Sequence, residues 1–476
     1  MKHIIRFGTL EDKKDLTELA ETYDMIVFNA NAITHSKDTI ANFIIRNICV
    51  KENKNYYIDP ITYAFQDHLE LIHSQPKKNR DEPGRKRVKD IQSMLAQPMK
   101  LTFDKLIDEY GMILEEIREN KPLQTQRLLV SENENVLKDF CGNVMNFQQN
   151  SIHRLVEESE IKKYLEYDNI RISKSLQPAF VIAPYFYMNI EQYKEWMEVN
   201  IRMYKICKIS NMTDIEIRME IFIDKKILKE RDILTKIAHK YLEAECSGYI
   251  LWISDFDETR AEKNEIENLL FFLKFFRDKS VYNAYGGFFS ILLGNDEVGL
   301  LDGVSHGLEY GESRGGFPVG GGMPTPKYYF FPLHRRLKYL ESLELLEKRD
   351  YIKPDAYLWG NSMAYLKEIC RCKVCKELMP EYMRGFEKFR STGMYEVDYL
   401  EHKQRRTKAK PEEKARCRHH YMYCKKVEFN YVKSRKLNVI LHDLLTNKEK
   451  YQSLLPSGEK IGVIGVWVDA IQHIGE

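Results

Sequence analysis

IRMEIFID (217–224), KKILKERDILTKIAHKYLEAE (225–245) and YILWISD (249–255) follow one another with only a short link between the second and third. The outer two are runs of β-branched, aromatic and other apolar residues. The middle one is charge-rich, with apolar residues returning every three or four positions. Strand, amphipathic helix, strand is the signature of a parallel βαβ unit. Similar short apolar runs occur elsewhere: MIVFNA (25–30), YYID (56–59), FVIAPYF (180–186), VYNAY (281–285), GVSHG (303–307) and DAYLWGN (355–361). Eight strands separated by helical stretches over this length predict an α/β protein, and a TIM (β/α)8 barrel before an open sheet. The stretch 66–175 breaks the rhythm. It is polar and helical in pattern, with a basic run PKKNRDEPGRKRVKD at 76–90. It reads as a large helical insertion. The expected division is 1–65 for the start of the barrel, 66–175 for the insertion, 176–362 for the rest of the barrel and 363–476 for a C-terminal subdomain.

The 476 residues carry 73 Lys and Arg against 71 Asp and Glu, a formal charge of +2. That balance excludes a global basic field, so any nucleic-acid affinity must come from local patches. The hydrophobic share of 43% suits a folded globular chain. No apolar run is long enough to span a bilayer, and MKHIIRFGTLEDKKD at the start lacks a signal-peptide pattern. The expectation is a cytoplasmic protein with no membrane association.

In a barrel, chemistry sits where the strands end. YYIDPITYAFQ puts Asp59 at one strand exit, YILWISDFDET puts Asp255 and Asp257 at another, and DAYLWGN brings Asp355 to a third. Carboxylates converging from separate strands can act as nucleophile, general acid or base, and ligand anchor. The plainer role for each is to cap the next helix. NAYGGFF (283–289), with Tyr285 and Gly286, and DGVSHGLEYGE (302–312), with Gly307 and Leu308, are glycine loops whose backbone amides can approach a flat ligand.

CRCKVC at 370–375 gathers three of the nine cysteines into six residues. Thiols at i, i+2 and i+5 cannot share a helix face, but a tight loop can wrap them around a tetrahedral ion. His402, His419, His420 and His442 are all candidates for a fourth ligand, and RHHYMYC (418–424) adds Cys424 close to two of them. His442 is favoured because its apolar helix must pack back on the cluster. With four protein ligands the site would be closed, and the metal structural.

These pieces resemble the tRNA-guanine transglycosylase superfamily, from Asp59 to the C-terminus. The likeness rests on the C-x-C-x-x-C motif, DGVSHGLEYGE, DPITYAFQ and FDET (256–259). The remodelled insertion and the long interval from Cys375 to His442 look most like the DNA-guanine transglycosylase branch. The resemblance implies a pentosyltransferase on a barrel with a structural zinc, one per chain, held by Cys370, Cys372, Cys375 and His442. It implies Asp59 as general base with Tyr63 or Phe65 near the base plane. Asp257 or Asp255 would read the base, with Tyr285 (where the family has Gln), Gly286, Gly307 and Leu308 beside it. Asp355 would be the nucleophile, although the Pro-Thr-Arg that follows it in the family is absent here, and Asp302 is the next candidate. The expected reaction exchanges guanine in a nucleic acid, DNA before tRNA, for a 7-deazaguanine such as 7-cyano-7-deazaguanine, with accessory modification proteins as possible partners. The basic stretches 76–90, 401–420 and PLHRRLK (332–338) are the expected phosphate contacts.

Overall fold

The computed structural model describes residues 1–8, 12–35, 37–49, 54–67, 69–74, 95–130, 133–157, 176–211, 213–308, 311–317, 326–353, 360–390, 394–399, 402–407, 410–455 and 462–475. Its centre is one eight-stranded parallel sheet. The strands are β1 (Lys2–Phe7), β2 (Met25–Asn29), β3 (Asn55–Asp59), β4 (Val181–Ile182), β5 (Ile217–Asp224), β6 (Gly248–Ser254), β7 (Ser280–Asn283) and β8 (Gly303–Gly307). Their order is β3-β2-β1-β8-β7-β6-β5-β4. The two outer strands face each other, and the Ala179 amide just before β4 donates to the Tyr56 carbonyl of β3 at 2.8 Å. The sheet is thus nearly closed into a barrel. Its strands are buried along almost their whole length, as parallel strands covered on both faces must be.

Seven of the eight strands fall on the expected runs. The eighth does not. β1, KHIIRF, lies between β2 and β8 and takes the place expected for DAYLWGN, whose residues 354–359 lie outside the described residues. Two charged residues in six hide this strand from a hydrophobic pattern. One of them, Arg6, is buried because a carboxylate waits for it across the barrel.

Between β3 and β4 the described residues are mainly helical, including Leu101–Tyr110 and Glu134–Glu157. The second of these buries Phe140, Val144, Phe147 and Leu155, a core-facing stripe at helical spacing. The basic run at 76–90 is largely outside the described residues. Beyond β8 come a small antiparallel pair, β9 (Tyr328–Phe330) and β10 (Arg335–Leu337), and a hairpin of β11 (Met394–Tyr399) with β12 (His402–Thr407). A 24-residue helix, Pro411–Ser434, follows, and then Leu437–Gln452 and Val463–Gln472. PLHRRLK builds β10, with Arg335 buried, and ends in an exposed Lys338 at the N-cap of the Tyr339–Lys348 helix.

Candidate functional site

Every barrel strand points the same way, so Asp59, Asp255, Asp257, Tyr285, Gly286, Gly307 and Leu308 all lie at or just past the C-terminal ends of β3, β6, β7 and β8. Asp59 is buried at the end of β3. Its Oδ2 accepts from Arg6 Nη1 at 3.0 Å, and its Oδ1 accepts from Tyr185 Oη at 2.7 Å and from the Ile61 amide at 3.0 Å. Arg6 also donates to Asn29 Oδ1 at 3.2 Å and lies over the Tyr285 ring at 4.4 Å. One β5 carboxyl, Glu220, is buried near this pair. Burial, and then the charge of Asp59, push it well above the usual carboxylate range. The barrel therefore holds one carboxyl paired with arginine and, near it, one that burial keeps protonated.

An aromatic floor surrounds this pair. Phe222 stacks on Trp252 with centroids 4.0 Å apart, and Tyr63 meets Trp252 edge-on at 5.2 Å. Phe65 faces the other way, onto Phe103 and Tyr110. The stretch Arg314–Phe317 lies across the floor. The Arg314 carbonyl accepts from Trp252 Nε1 and from the Asp255 amide, both at 3.1 Å, and Arg314 Nη1 donates to Tyr285 Oη at 3.3 Å. A side chain on Gly316 would meet the Phe222 ring at 2.1 Å. The sequence offered no sign that Arg314 and Gly316 belong here.

Asp255 is exposed, in a left-handed turn with φ 58°. Asp257 accepts from the Thr259 amide at 2.9 Å and from its hydroxyl at 2.7 Å. That is the turn-capping role, with its outer face toward a cavity. Leu308 lines the same cavity, and the Gly307 amide donates to Gly311 O at 3.2 Å. Gly286 is needed for close approach: a Cβ there would lie 2.6 Å from Ser290 Cβ. Asp355 lies outside the described residues. Asp302 precedes β8, at the opposite end of the barrel from Asp59, so the fold removes it as an alternative nucleophile.

The three thiols do come together with a histidine, and that histidine is His420, not His442. Cys370, Cys372, Cys375 and His420 are all buried, with their ligand atoms within 4.8 Å of one another. His420 Nδ1 lies 3.2 Å from Cys372 Sγ and 3.4 Å from Cys375 Sγ. A tetrahedral ion with metal–sulfur bonds of about 2.3 Å and a metal–nitrogen bond of about 2.0 Å sets N···S edges near 3.5 Å, so the donors fit a metal ion. His420 Nε2 pairs with the Tyr329 carbonyl at 2.9 Å, which places its proton there and leaves the Nδ1 lone pair for the ion. Tyr328 stacks on the imidazole with centroids 4.4 Å apart. Cys424, one helical turn after His420, is a neighbour, 3.5 Å from Cys370 Sγ.

His442 fails for a reason of helical phase. The Leu437–Gln452 helix buries Ile440, Leu441 and Leu444 and turns His442 to solvent. His419 is also spoken for, 3.1 Å from Asp15 Oδ1. The i, i+4 pair His420 and Cys424 in RHHYMYC was the sequence signal for the right histidine.

No protein-family model matches this chain, and no curated protein matches it. Among the described residues no helix is long and apolar enough to cross a membrane.

Proposed function

We propose that this protein exchanges a guanine base in a nucleic acid, DNA before tRNA, for a 7-deazaguanine at the mouth of a TIM-type barrel. The observation that carries the reading is Asp59, paired with Arg6 at 3.0 Å at the end of β3, near a protonated Glu220 and an aromatic floor. A purine can stack on such a floor while a carboxylate handles its ring protons. The nucleophile belongs to Asp355 on the sequence resemblance alone. Its carboxylate would form a bond to C1′ as the bond from C1′ to N9 breaks. Guanine would leave with a proton, and N9 of the incoming base, giving up its own proton, would then displace the carboxylate. Two displacements retain configuration and need no ATP. The base must leave the stack to reach the mouth. The ion held by Cys370, Cys372, Cys375 and His420 would be zinc, in a closed and structural site.

A second reading, a nucleic-acid-binding barrel without exchange, is favoured by two features. Asp59 is already saturated by three donors, and Arg314–Phe317 covers the floor. Incubation with labelled guanine and either duplex DNA or tRNA separates the readings. Exchange puts label into the polymer, and loss of label uptake in Asp59→Asn ties it to this site. No label in either polymer, with binding intact, selects the binder. Label in tRNA alone overturns the DNA assignment.

A further inference from the structure

A cavity of about 240 Å³ opens between the loops after β6, β7 and β8, strand β10 and the first turns of the Pro411–Ser434 helix. It is apart from Asp59 and the aromatic floor, none of which line it. We propose that it is a phosphate pocket that seats one phosphodiester of the bound strand. The phosphate chemistry stands by itself; the strand as its carrier rests on the nucleic-acid reading above.

Charge is the first argument. Six basic side chains line the cavity: Arg260, Lys327, Arg335, Arg336, Lys414 and Arg418. Among the described residues three carboxyls do: Asp257, Glu258 and Glu312. Two of the three are occupied. Glu312 accepts from Tyr421 Oη at 2.8 Å and lies 3.4 Å from Lys425 Nζ, and Asp257 is the helix-turn cap already described, 3.6 Å from Arg260. Burial raises Glu258 to about 7, which strips it of much of its charge at neutral pH.

Lys414 is the second argument. It is 8% exposed and lines the cavity, and among the described residues its ammonium has no ion pair or hydrogen bond. An ammonium that lines a cavity without a protein partner is a ready contact for an anion. Arg418, beside Asp15, is one turn further on the same helix, so Lys414, Cys417 and Arg418 present one face to the cavity. That face belongs to the first two turns of a 24-residue helix, whose positive end adds to the attraction.

Size narrows the ligand. The cavity is smaller than the roughly 300 Å³ at which drug-sized sites begin. It suits a phosphate with part of its sugar rather than a whole nucleotide.

Titration calorimetry on the metal-loaded protein tests this with four probes: inorganic phosphate, deoxyguanosine, its 5′-monophosphate and a short single-stranded DNA. The three phosphate-bearing probes should bind at the pocket and compete with one another, and deoxyguanosine should not displace phosphate. Lys414→Ala should weaken phosphate and DNA about tenfold, the loss of one charge-assisted contact. Arg260→Ala, at an exposed side chain, should weaken both in the same direction and cannot do so by unfolding the core. Lys433→Glu, at the far end of the same helix, should change neither by as much. Unchanged phosphate affinity in folded Lys414→Ala, or no phosphate binding to the wild type, overturns the pocket. Phosphate binding that DNA cannot displace keeps the pocket and removes the strand as its carrier.

Discussion

Glu258 gives the residue scale a pH readout. It is buried, Ser290 donates to it through its hydroxyl and, at 3.3 Å, its amide, and its carboxyl sits at about 7 against an ordinary 4.5 because burial disfavours the charge. The folded state therefore holds this proton more tightly than the unfolded chain. Its contribution is full below pH 4.5, is lost as pH rises to 7, and is constant above. The loss is roughly 3 kcal/mol. His3 works in the opposite sense. Burial lowers it from 6.5 to about 4, so stability falls as pH drops through that window. Only a difference isolates Glu258: the gap in urea midpoint between Glu258→Gln and the wild type should move in favour of the variant between pH 5 and pH 8. A constant gap would mean that Glu258 ionises at its ordinary value. His420 gives a second residue-scale test. His420→Ala should lose bound metal on gel filtration, as should Cys372→Ser, whereas His442→Ala should keep it. Full metal in His420→Ala would mean that Cys424 takes over as fourth ligand.

At the scale of elements the Pro411–Ser434 helix connects most of what matters. It brings His420 to the thiols, Lys414 and Arg418 to the cavity, and an ionic knot to β9 and β10. In the knot, Lys425 is 2.9 Å from Glu428 Oε2, while Glu428 Oε1 accepts from Tyr329 Oη and pairs with His334 Nδ1, both at 2.6 Å. Burial opposes the charge on Glu428, yet Lys425 and His334 hold it below the usual range. Glu428→Ala would leave Lys425 buried without that partner, at a cost of about 3–5 kcal/mol. Chemical denaturation measures it, and a cost under 1 kcal/mol would show that Glu312 alone suffices. None of this knot was legible in the sequence. The first turns of the helix fall within the basic stretch 401–420, whose many charges mask the buried face, and ion pairs between distant segments leave no local pattern. What was legible followed from periodicity and spacing: seven strands, the exit position of Asp59 and the three thiols. Arg6 and His420 were missed or passed over because tertiary pairing, not local pattern, selects them.

For the whole molecule, Arg6 and the candidate metal cluster of Cys370, Cys372, Cys375 and His420 are the two features whose loss should disturb the mouth. Arg6 ties β1 to β3 through Asp59 and presses on Tyr285 beyond β7, so it spans three parts of the barrel rim. Arg6→Met should strand a buried carboxylate and lower stability by about 3–5 kcal/mol. The cluster acts from outside the barrel, along the Pro411–Ser434 helix, which is fastened to the barrel by Arg418 and His419 on Asp15, Tyr421 on Glu312 and Asn295 on the Val432 carbonyl at 2.7 Å. Loss of an ion held there would leave His420 and three thiols buried together without a shared charge, and the free energy of binding would be lost from the folded state. A strong chelator should therefore lower the melting temperature by about 10 °C or more and abolish phosphate binding at Lys414 as well, since one helix carries both. Added zinc should restore both together. If the chelated protein melts lower but binds phosphate as before, the helix keeps its place without the ion, and the barrel contacts alone set the cavity.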